Sequence, residues 1–267
     1  MTDKVLCDGY KCRCARCHDV MKLESITGII FDLGGTLYSP GSDMCGLTRD
    51  FLVEVGLDKS RNYSDEEIID ALSGPDEWLT RYMIKNDVDI HWKPDHEHWV
   101  EYDRMLLAVL GVSDREDIVL DYQKQWDNFH EDATPDLMTG CREALEELKN
   151  RGFKLGIASN RFTDPTHLLK GSGIHQFFDA IEFTNVPGYR KPSPYMLVKV
   201  VAAFGTNPHR CMYVGNIVES DVVAATRAGL IPVLLTWCDP EEEEKVSADT
   251  IVIEDIKDLL EILGPPS

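Results

Sequence analysis

A short apolar run that ends on a single carboxylate constrains the fold of this chain more than any other segment. The run from Ile29 to Phe31 has no polar interruption, and Asp32 and the glycine turn at Gly34-Gly35 follow it directly. Such a run is typical of a strand buried on both faces of a parallel sheet, and the glycines end the strand. Asp32 is therefore predicted at the carboxyl end of a strand, where ligands bind in open parallel sheets. An Asp before glycine also commonly caps a turn, so this segment alone leaves both roles open.

Three later segments place polar side chains where a predicted strand ends or a helix begins. A proline such as Pro192 is well suited to open a helix. The side chains in question are Ser159 and Asn160 after the run 154–158, Lys191 before Pro192, and Asn216 and Asp221 after the run 211–215.

In order and spacing, these four segments resemble the haloacid dehalogenase superfamily of hydrolases, over roughly residues 24–262. Members of that superfamily are mostly phosphatases that use an aspartate nucleophile and magnesium. The resemblance implies a Mg2+-dependent phosphatase in which Asp32 attacks phosphorus and forms an aspartyl phosphate. It also implies a small phosphorylated metabolite as substrate.

The resemblance assigns a role to each polar side chain. Mg2+ prefers hard oxygen ligands, and a lysine and hydroxyl groups can share in neutralising the phosphoryl oxygens. The implied catalytic residues are Asp32, Ser159 and Lys191; the implied substrate contacts are Gly35, Thr36 and Asn160; the implied Mg2+ ligands are Asp32, the backbone of Gly34, Asn216 and Asp221.

Two positions depart from the family pattern. Family phosphatases carry a second Asp two residues after the nucleophile, which protonates the leaving group and later activates water; Gly34 occupies that position here. Glycine keeps the backbone carbonyl that contacts the metal but loses the acid and base, which typically costs about 10²- to 10⁴-fold in rate. Asn216 stands where the family usually has Asp, so the metal site has one negative charge fewer.

Gly34 leaves several functions open. The first expectation is a slow or specialised phosphatase, whose substrate has a good leaving group such as an acyl phosphate, or whose acid comes from elsewhere, for example His96 or His98. The alternative is a non-catalytic protein that binds phosphorylated ligands or regulates. Hydrolysis of a carbon–halogen or carbon–phosphorus bond ranks below both, although related dehalogenases and phosphonatases also lack the second Asp.

Composition excludes some partners. The 267 residues carry 47 acidic and 27 basic side chains, a formal net charge of -20, which argues against nucleic acid and anionic membrane surfaces. No apolar run approaches the roughly 18 residues of a transmembrane helix. The N-terminus lacks the apolar segment of a signal peptide, so a cytoplasmic location is expected. Oligomeric state has no readable signal.

The pattern along the chain predicts a three-layer Rossmann-like α/β core with a parallel sheet and an inserted all-helical cap. The core is predicted at 24–38 and 135–267, where strands and helices alternate up to a last helix near 254–263. The cap is predicted at 39–134. One predicted apolar face of the cap comprises Leu47, Phe51, Leu52 and Val55, and another comprises Trp99, Tyr102, Met105, Leu106 and Leu110.

Residues 1–23 form a polar, basic and cysteine-rich appendage to the predicted core. Four thiols in one short run suit tetrahedral Zn2+ or an iron–sulfur cluster, because a metal neutralises the mutual repulsion of the thiolates. Their spacing is not that of paired zinc knuckles, and a flexible reduced tail is the alternative. The four thiols are Cys7, Cys12, Cys14 and Cys17; the scattered Cys45, Cys141, Cys211 and Cys238 are expected to be packed and reduced.

Overall fold

The computed structural model describes residues 23, 25–41, 43–57, 61–132 and 135–264. The chain divides into two compact units: a sheet unit within Met1–Pro40 and Pro135–Ser267, and a helical unit within Gly41–Thr134. The predicted metal site at Cys7, Cys12, Cys14 and Cys17 lies outside the described residues. No helix in the described ranges is long and apolar enough to cross a bilayer.

The sheet unit contains six parallel strands, which confirms the predicted α/β class. Their order across the sheet is β3-β2-β1-β4-β5-β6, so β1 lies inside the sheet between β2 and β4. Phe31 of β1 pairs with Ile157 of β2 and with Val214 of β4, which aligns the carboxyl ends of these three strands. The strands are β1 (Gly28–Phe31), β2 (Lys154–Ser159), β3 (Ala180–Phe183), β4 (Cys211–Gly215), β5 (Ile231–Leu235) and β6 (Ile251–Ile253).

The helical unit consists of helices and turns, and other helices, which belong to the sheet unit, cover both faces of the sheet. The helical unit contains α1 (Met44–Glu54), α2 (Asp65–Lys85), α3 (His96–Val109) and α4 (Glu116–Asp132). The sheet unit contains α5 (Cys141–Asn150), α6 (Thr166–Gly171), α7 (Tyr195–Phe204), α8 (Val223–Ala228) and α9 (Asp258–Ile262). A π-helical turn, Val218–Val222, leads into α8, and short 3-10 turns occur at His175–Phe177, Pro208–Arg210 and Pro240–Lys245.

Alternate residues of β1 enter two different apolar cores, as expected for a strand buried on both faces. Ile29 and Phe31 pack in one cluster with residues of α5 and α9, including Leu145 and Leu259. Ile30 packs on the opposite face in a cluster with residues of α7 and α8. The sheet therefore forms the middle of three layers.

The end of the chain differs from the sequence prediction. The sequence predicts a last helix near 254–263, whereas the structure places a short strand, β6, at Ile251–Ile253 and begins α9 at Asp258. Three residues are too few for strand periodicity to show in the sequence, and β6 forms by pairing with β5.

Each predicted apolar face of the helical unit is buried in part. On the first face, Phe51 and Leu52 are buried, whereas Leu47 and Val55 are only partly buried. On the second face, Leu106 and Leu110 are buried, whereas Trp99, Tyr102 and Met105 are only partly buried. The buried face of α3 instead includes Asp103, a residue that the apolar pattern could not select.

Candidate functional site

Polar side chains from separate segments meet at the carboxyl edge of the sheet. Asp32 follows β1, Ser159 is the last residue of β2, and Lys191 comes from the loop before α7. Nζ of Lys191 lies 2.8 Å from Oδ1 of Asp32 and 2.6 Å from Oδ1 of Asp221. The structure therefore brings three of the residues selected from the sequence into one buried ion-pair cluster.

Tyr213 on β4 completes the surroundings of the Lys191 ammonium group. Lys191 donates a hydrogen bond to the Tyr213 hydroxyl at 2.7 Å, and that hydroxyl donates to the carbonyl of Ala158 at 2.8 Å. An ammonium group has three N–H donors, and the oxygens of Asp32, Asp221 and Tyr213 surround them. The position of Lys191 is thereby fixed from three directions.

The charges of this cluster shift one another's pKa. Burial raises the pKa of Asp32; the Lys191 ammonium and a hydrogen bond from Ser159 oppose that rise, whereas the Asp221 carboxylate adds to it. Burial alone would lower the pKa of Lys191, but the carboxylates of Asp221 and Asp32 raise it above its ordinary value. Lys191 therefore stays charged beside the carboxylate that is predicted to be the nucleophile.

Asp221 uses both carboxylate oxygens inside the protein. Oδ1 contacts Lys191, and Oδ2 accepts the backbone N–H groups of Asn216 at 3.1 Å and Ile217 at 3.0 Å. Such bonds stabilise the ionised carboxylate and hold the turn after β4. In this arrangement Asp221 positions Lys191 and the turn; its role as a Mg2+ ligand stays a prediction.

Asn160 also positions Lys191, through the backbone. Its Nδ2 donates to the Lys191 carbonyl at 3.0 Å, and its Oδ1 accepts the Lys191 N–H at 2.7 Å. The sequence assigned Asn160 to substrate binding, and that role remains a prediction. Two hydrogen bonds between the same two residues tie the loop after β2 to the loop that carries Lys191.

Asn216 joins the nucleophile loop to the loop after β4. Its Oδ1 accepts the Thr36 hydroxyl at 3.1 Å, and its Nδ2 donates to Sγ of Cys238 at 3.6 Å. Cys238 in turn donates to the carbonyl of Gly35 at 3.4 Å. Gly35 has φ +73, and a Cβ there would lie 2.4 Å from Nδ2 of Asn216, so this position requires glycine on both counts.

Gly34 leaves open space beside the nucleophile. A Cβ built on Gly34 would meet nothing within 4 Å among the described residues, and its φ lies outside the left-handed range. The backbone would therefore accept a larger side chain, including the Asp that the family pattern has at this position.

The oxygen donors around Asp32 fit a Mg2+ ion. Oδ1 of Asp32 is buried and lies 2.8 Å from Nζ of Lys191. Carboxylate, amide and peptide oxygens are hard ligands, and Mg2+ typically needs only one or two carboxylates beside water and substrate oxygens. Within the described ranges, no group of three or more His, Cys, Asp or Glu side chains is placed to hold a metal. The donors at Asp32, Gly34 and Asn216 therefore suit Mg2+ rather than a metal that needs a thiolate or imidazole site.

Tyr213 and Cys238 belong to the site but were missed by the sequence analysis. Burial raises the pKa of Tyr213 well above its ordinary value, and the charges of Asp221 and Asp32 add to the rise, so its hydroxyl keeps its proton. A tyrosine in an otherwise apolar strand is a signal that could have been used, because buried tyrosine hydroxyls usually have a partner. Cys238 had no such signal.

The remaining sequence candidates, His96 and His98, belong to the helical unit. His98 stacks against Tyr82 and Trp92, with ring centroids 4.6 and 5.2 Å away, and its Nδ1 lies 2.5 Å from Oδ1 of Asp95. Nδ1 of His96 lies 3.7 Å from a carboxylate oxygen of Asp127. Both histidines have partners within the helical unit, and a role as substitute acid stays a prediction.

The scattered cysteines are reduced in the structure. Cys141 and Cys211 are buried, and Cys45 and Cys238 are partly buried. Burial raises the pKa of Cys141 and of Cys211 to about 12, so neither carries a reactive thiolate at neutral pH.

Sequence comparison connects these residues with known enzymes. The family described as haloacid dehalogenase-like hydrolase matches residues 26–229. A glyceraldehyde 3-phosphate phosphatase of Methanothermobacter thermautotrophicus is 27% identical over 246 residues, which cover 89% of this chain and 100% of that protein. Pyrophosphatase PpaX of Oceanobacillus iheyensis is 30% identical over 243 residues, covering 90% of this chain and 98% of that protein.

Solved structures show the same fold. The crystal structure of a predicted phosphoglycolate phosphatase from Haemophilus somnus 129pt aligns with a TM-score of 0.60 at 21% identity, over 89% of this chain and 97% of that one. The hydrolase YfnB of Bacillus subtilis, solved with bound magnesium, aligns with a TM-score of 0.57 at 18% identity, over 90% and 99%. At these identities the likeness extends to the fold alone.

Proposed function

Because the chain belongs to the haloacid dehalogenase-like hydrolases, we propose that it is a Mg2+-dependent phosphatase acting on a small phosphorylated metabolite. Support comes from two relatives of nearly full length, which are named as phosphatases of glyceraldehyde 3-phosphate and of pyrophosphate. The observation that carries the proposal is the buried cluster in which Lys191 contacts both Asp32 and Asp221.

In the proposed reaction, a carboxylate oxygen of Asp32 attacks phosphorus, and the leaving group departs with the electrons of the broken P–O bond. Water then attacks the phosphorus of the aspartyl phosphate, which releases inorganic phosphate and restores Asp32. Lys191 offers positive charge and Ser159 a hydroxyl to the phosphoryl oxygens at the sheet edge. Asp32, the Gly34 carbonyl, Asn216 and Asp221 would hold Mg2+, which would supply further neutralisation of phosphoryl charge.

Gly34 determines which substrates react fast in this proposal. No described side chain occupies the place of the family acid, so the leaving group departs without a proton from that position. Acyl phosphates and other substrates with a stable leaving anion need no such proton. Ordinary alkyl phosphates do, and they are expected to react slowly.

Turnover assays with two substitutions test the proposal. Wild-type protein is assayed in Mg2+ with acetyl phosphate, p-nitrophenyl phosphate and glyceraldehyde 3-phosphate. Asp32→Asn is expected to abolish turnover of all three. Gly34→Asp restores the acid in open space and is expected to raise the rate for the alkyl phosphate by about 10²- to 10⁴-fold, and for acetyl phosphate far less.

Gly171→Asp is the matched control, because it adds the same charge where a Cβ also meets nothing within 4 Å. It should leave all three rates unchanged. No phosphate turnover by wild type or by Gly34→Asp would contradict the proposal and favour the non-catalytic phosphate binder. Halide release from a 2-haloacid, with no phosphate turnover, would favour a dehalogenase.

A further inference from the structure

Arg161 is a cation of the sheet unit that the proposed reaction does not use. It lies two residues after Ser159, in the loop at the carboxyl end of β2. Its backbone N–H donates to the Thr184 carbonyl at 3.2 Å, which ties the loop to the chain after β3. The side chain is half-buried.

The guanidinium of Arg161 has more N–H donors than it has acceptors among the described residues. Nη2 donates to Oγ1 of Thr163 at 3.2 Å, whereas Nε is buried and has no hydrogen-bond partner among the described side chains and backbone. A guanidinium carries five N–H donors in a fixed planar fork. Because buried donors are normally hydrogen-bonded, this group has donor capacity left for a ligand.

Asp32 and Arg161 are close enough for their charges to act on each other. Burial lowers the pKa of Arg161, and the charges of Asp32 and Tyr38 act in the opposite direction. An arginine keeps its charge despite such a shift, so the group remains a cation within electrostatic range of Asp32.

The charge balance separates the tasks of Arg161 and Lys191. Lys191 is surrounded by the oxygens of Asp32, Asp221 and Tyr213, so its positive charge is already shared with two carboxylates. Arg161 has no carboxylate within ion-pair distance among the described residues. Its fork suits a planar or tetrahedral anion, which it can bind through two parallel hydrogen bonds.

We propose that Arg161 binds a second anionic group of the substrate, a carboxylate or a second phosphoryl group, while the reacting phosphoryl group lies at Asp32. The preferred substrates are then small phosphate esters or anhydrides that carry another anion close to phosphorus. This inference rests on the proposed function, because it takes the reacting group to be a phosphoryl group.

Binding of non-hydrolysable phosphonates tests the inference without turnover. The dissociation constants of methylphosphonate, phosphonoacetate and methylenediphosphonate are measured by calorimetry in a fixed excess of Mg2+. Wild type should bind at least one of the two doubly anionic phosphonates about 10- to 100-fold more tightly than methylphosphonate, as expected for hydrogen bonds to charged groups. The tighter of the two identifies the second group as carboxylate or phosphoryl.

Variants of Arg161 show whether the preference for a second anion depends on its guanidinium group. Arg161→Met should abolish the preference and leave methylphosphonate binding unchanged, and Arg161→Lys should restore only part of it. Arg210→Met is the matched control. Arg210 directly precedes β4, at the amino end of that strand, and its side chain donates to the Ser25 carbonyl. The Arg210→Met variant should keep the full preference. Thermal melts confirm that each variant is folded.

The outcomes separate this inference from the proposed function. Equal weakening of all three phosphonates in Arg161→Met, or no weakening of any, overturns the role of Arg161 even if phosphate turnover is found. A preference that depends on Arg161, without any phosphate turnover, supports the second-anion site and contradicts the phosphatase. If none of the three phosphonates binds to wild type, the second-anion site is overturned, and the turnover assays alone decide the proposed function.

Discussion

The sheet unit and the helical unit bury ionisable groups in opposite ways. In the sheet unit, Lys191 contacts Asp32 and Asp221, so the buried charges compensate one another. In the helical unit, Asp103 is 4% exposed, and its Oδ2 has no hydrogen-bond partner among the described residues. A buried acid without a partner keeps its proton, whereas a buried acid beside an ammonium can remain ionised.

The neighbours of Asp103 explain why it stays neutral. Burial raises the pKa of Asp103 to about 8, and the negative charge of Asp127 adds to this rise. The amide of Gln123 donates to Asp127 at 2.9 Å. The buried ion-pair cluster therefore marks the candidate site. The buried, unpaired Asp103 instead makes the stability of the helical unit depend on pH.

The largest expected effect comes from removing the cation of the sheet unit. Lys191→Met leaves the buried carboxylates of Asp32 and Asp221 without a counterion, which typically costs about 3–5 kcal/mol in the free energy of unfolding. Urea unfolding followed by circular dichroism measures the loss. Lys149→Met removes a partly exposed partner of Asp179 and should cost at most about 1 kcal/mol. If both variants lose a similar free energy of unfolding, Lys191 does not compensate the buried charges of Asp32 and Asp221.

The second effect is a pH dependence of the helical unit. The native pKa of Asp103 is about 8, well above the usual value near 3.9 in an unfolded chain. Between these values the native state binds the extra proton, so the free energy of unfolding falls as pH rises, by about 1.4 kcal/mol per pH unit. Asp103→Asn should remove this slope.

Tryptophan fluorescence measures that slope, since four of the five tryptophans lie in the helical unit: Trp78, Trp92, Trp99 and Trp126, with Trp237 in the sheet unit. Asp121→Asn, at an exposed position of α4, is the control and should keep the slope of the wild type. A slope that persists unchanged in Asp103→Asn would assign the pH dependence to other groups.

A smaller effect is expected from one hydroxyl of the sheet cluster. Tyr213→Phe leaves one Lys191 N–H and the Ala158 carbonyl without their present partner, which should cost about 1–3 kcal/mol in unfolding free energy. Denaturant unfolding measures it, and Tyr189→Phe at a 40% exposed position is the control. If Tyr213→Phe unfolds at the wild-type midpoint, the hydroxyl does not help to hold Lys191.

The smallest effect belongs to the start of α2. Ser64 accepts the Glu67 N–H at 3.2 Å, and the Glu67 carboxylate accepts the Ser64 N–H at 2.8 Å, so the two form a capping box. Ser64→Ala should destabilise the helical unit by about 1 kcal/mol, seen as a lower fluorescence midpoint. Ser73→Ala, inside the same helix, should change it by less than about 0.5 kcal/mol. Equal shifts of the midpoint in Ser64→Ala and Ser73→Ala would show that loss of the capping box is not the cause.

Part of the site could be read from the sequence because strand ends leave local signals. Asp32, Ser159 and Asn216 each close an apolar run, and parallel pairing then aligns those ends at one edge. Lys191 was found through the order of the motifs. Tyr213 was not found, because its role depends on a contact with Lys191 that no local pattern encodes.

By itself, the sequence determined the alternation of buried strands and amphipathic helices, and with it the parallel sheet and the edge on which Asp32 lies. These features follow from the periodicity of apolar residues within short segments. Only the tertiary structure decided that Lys191 lies between two carboxylates, that Gly34 opens onto free space and that Asp103 is buried without a partner. Such features depend on distances between residues far apart in the chain, and those distances are fixed only when the layers pack.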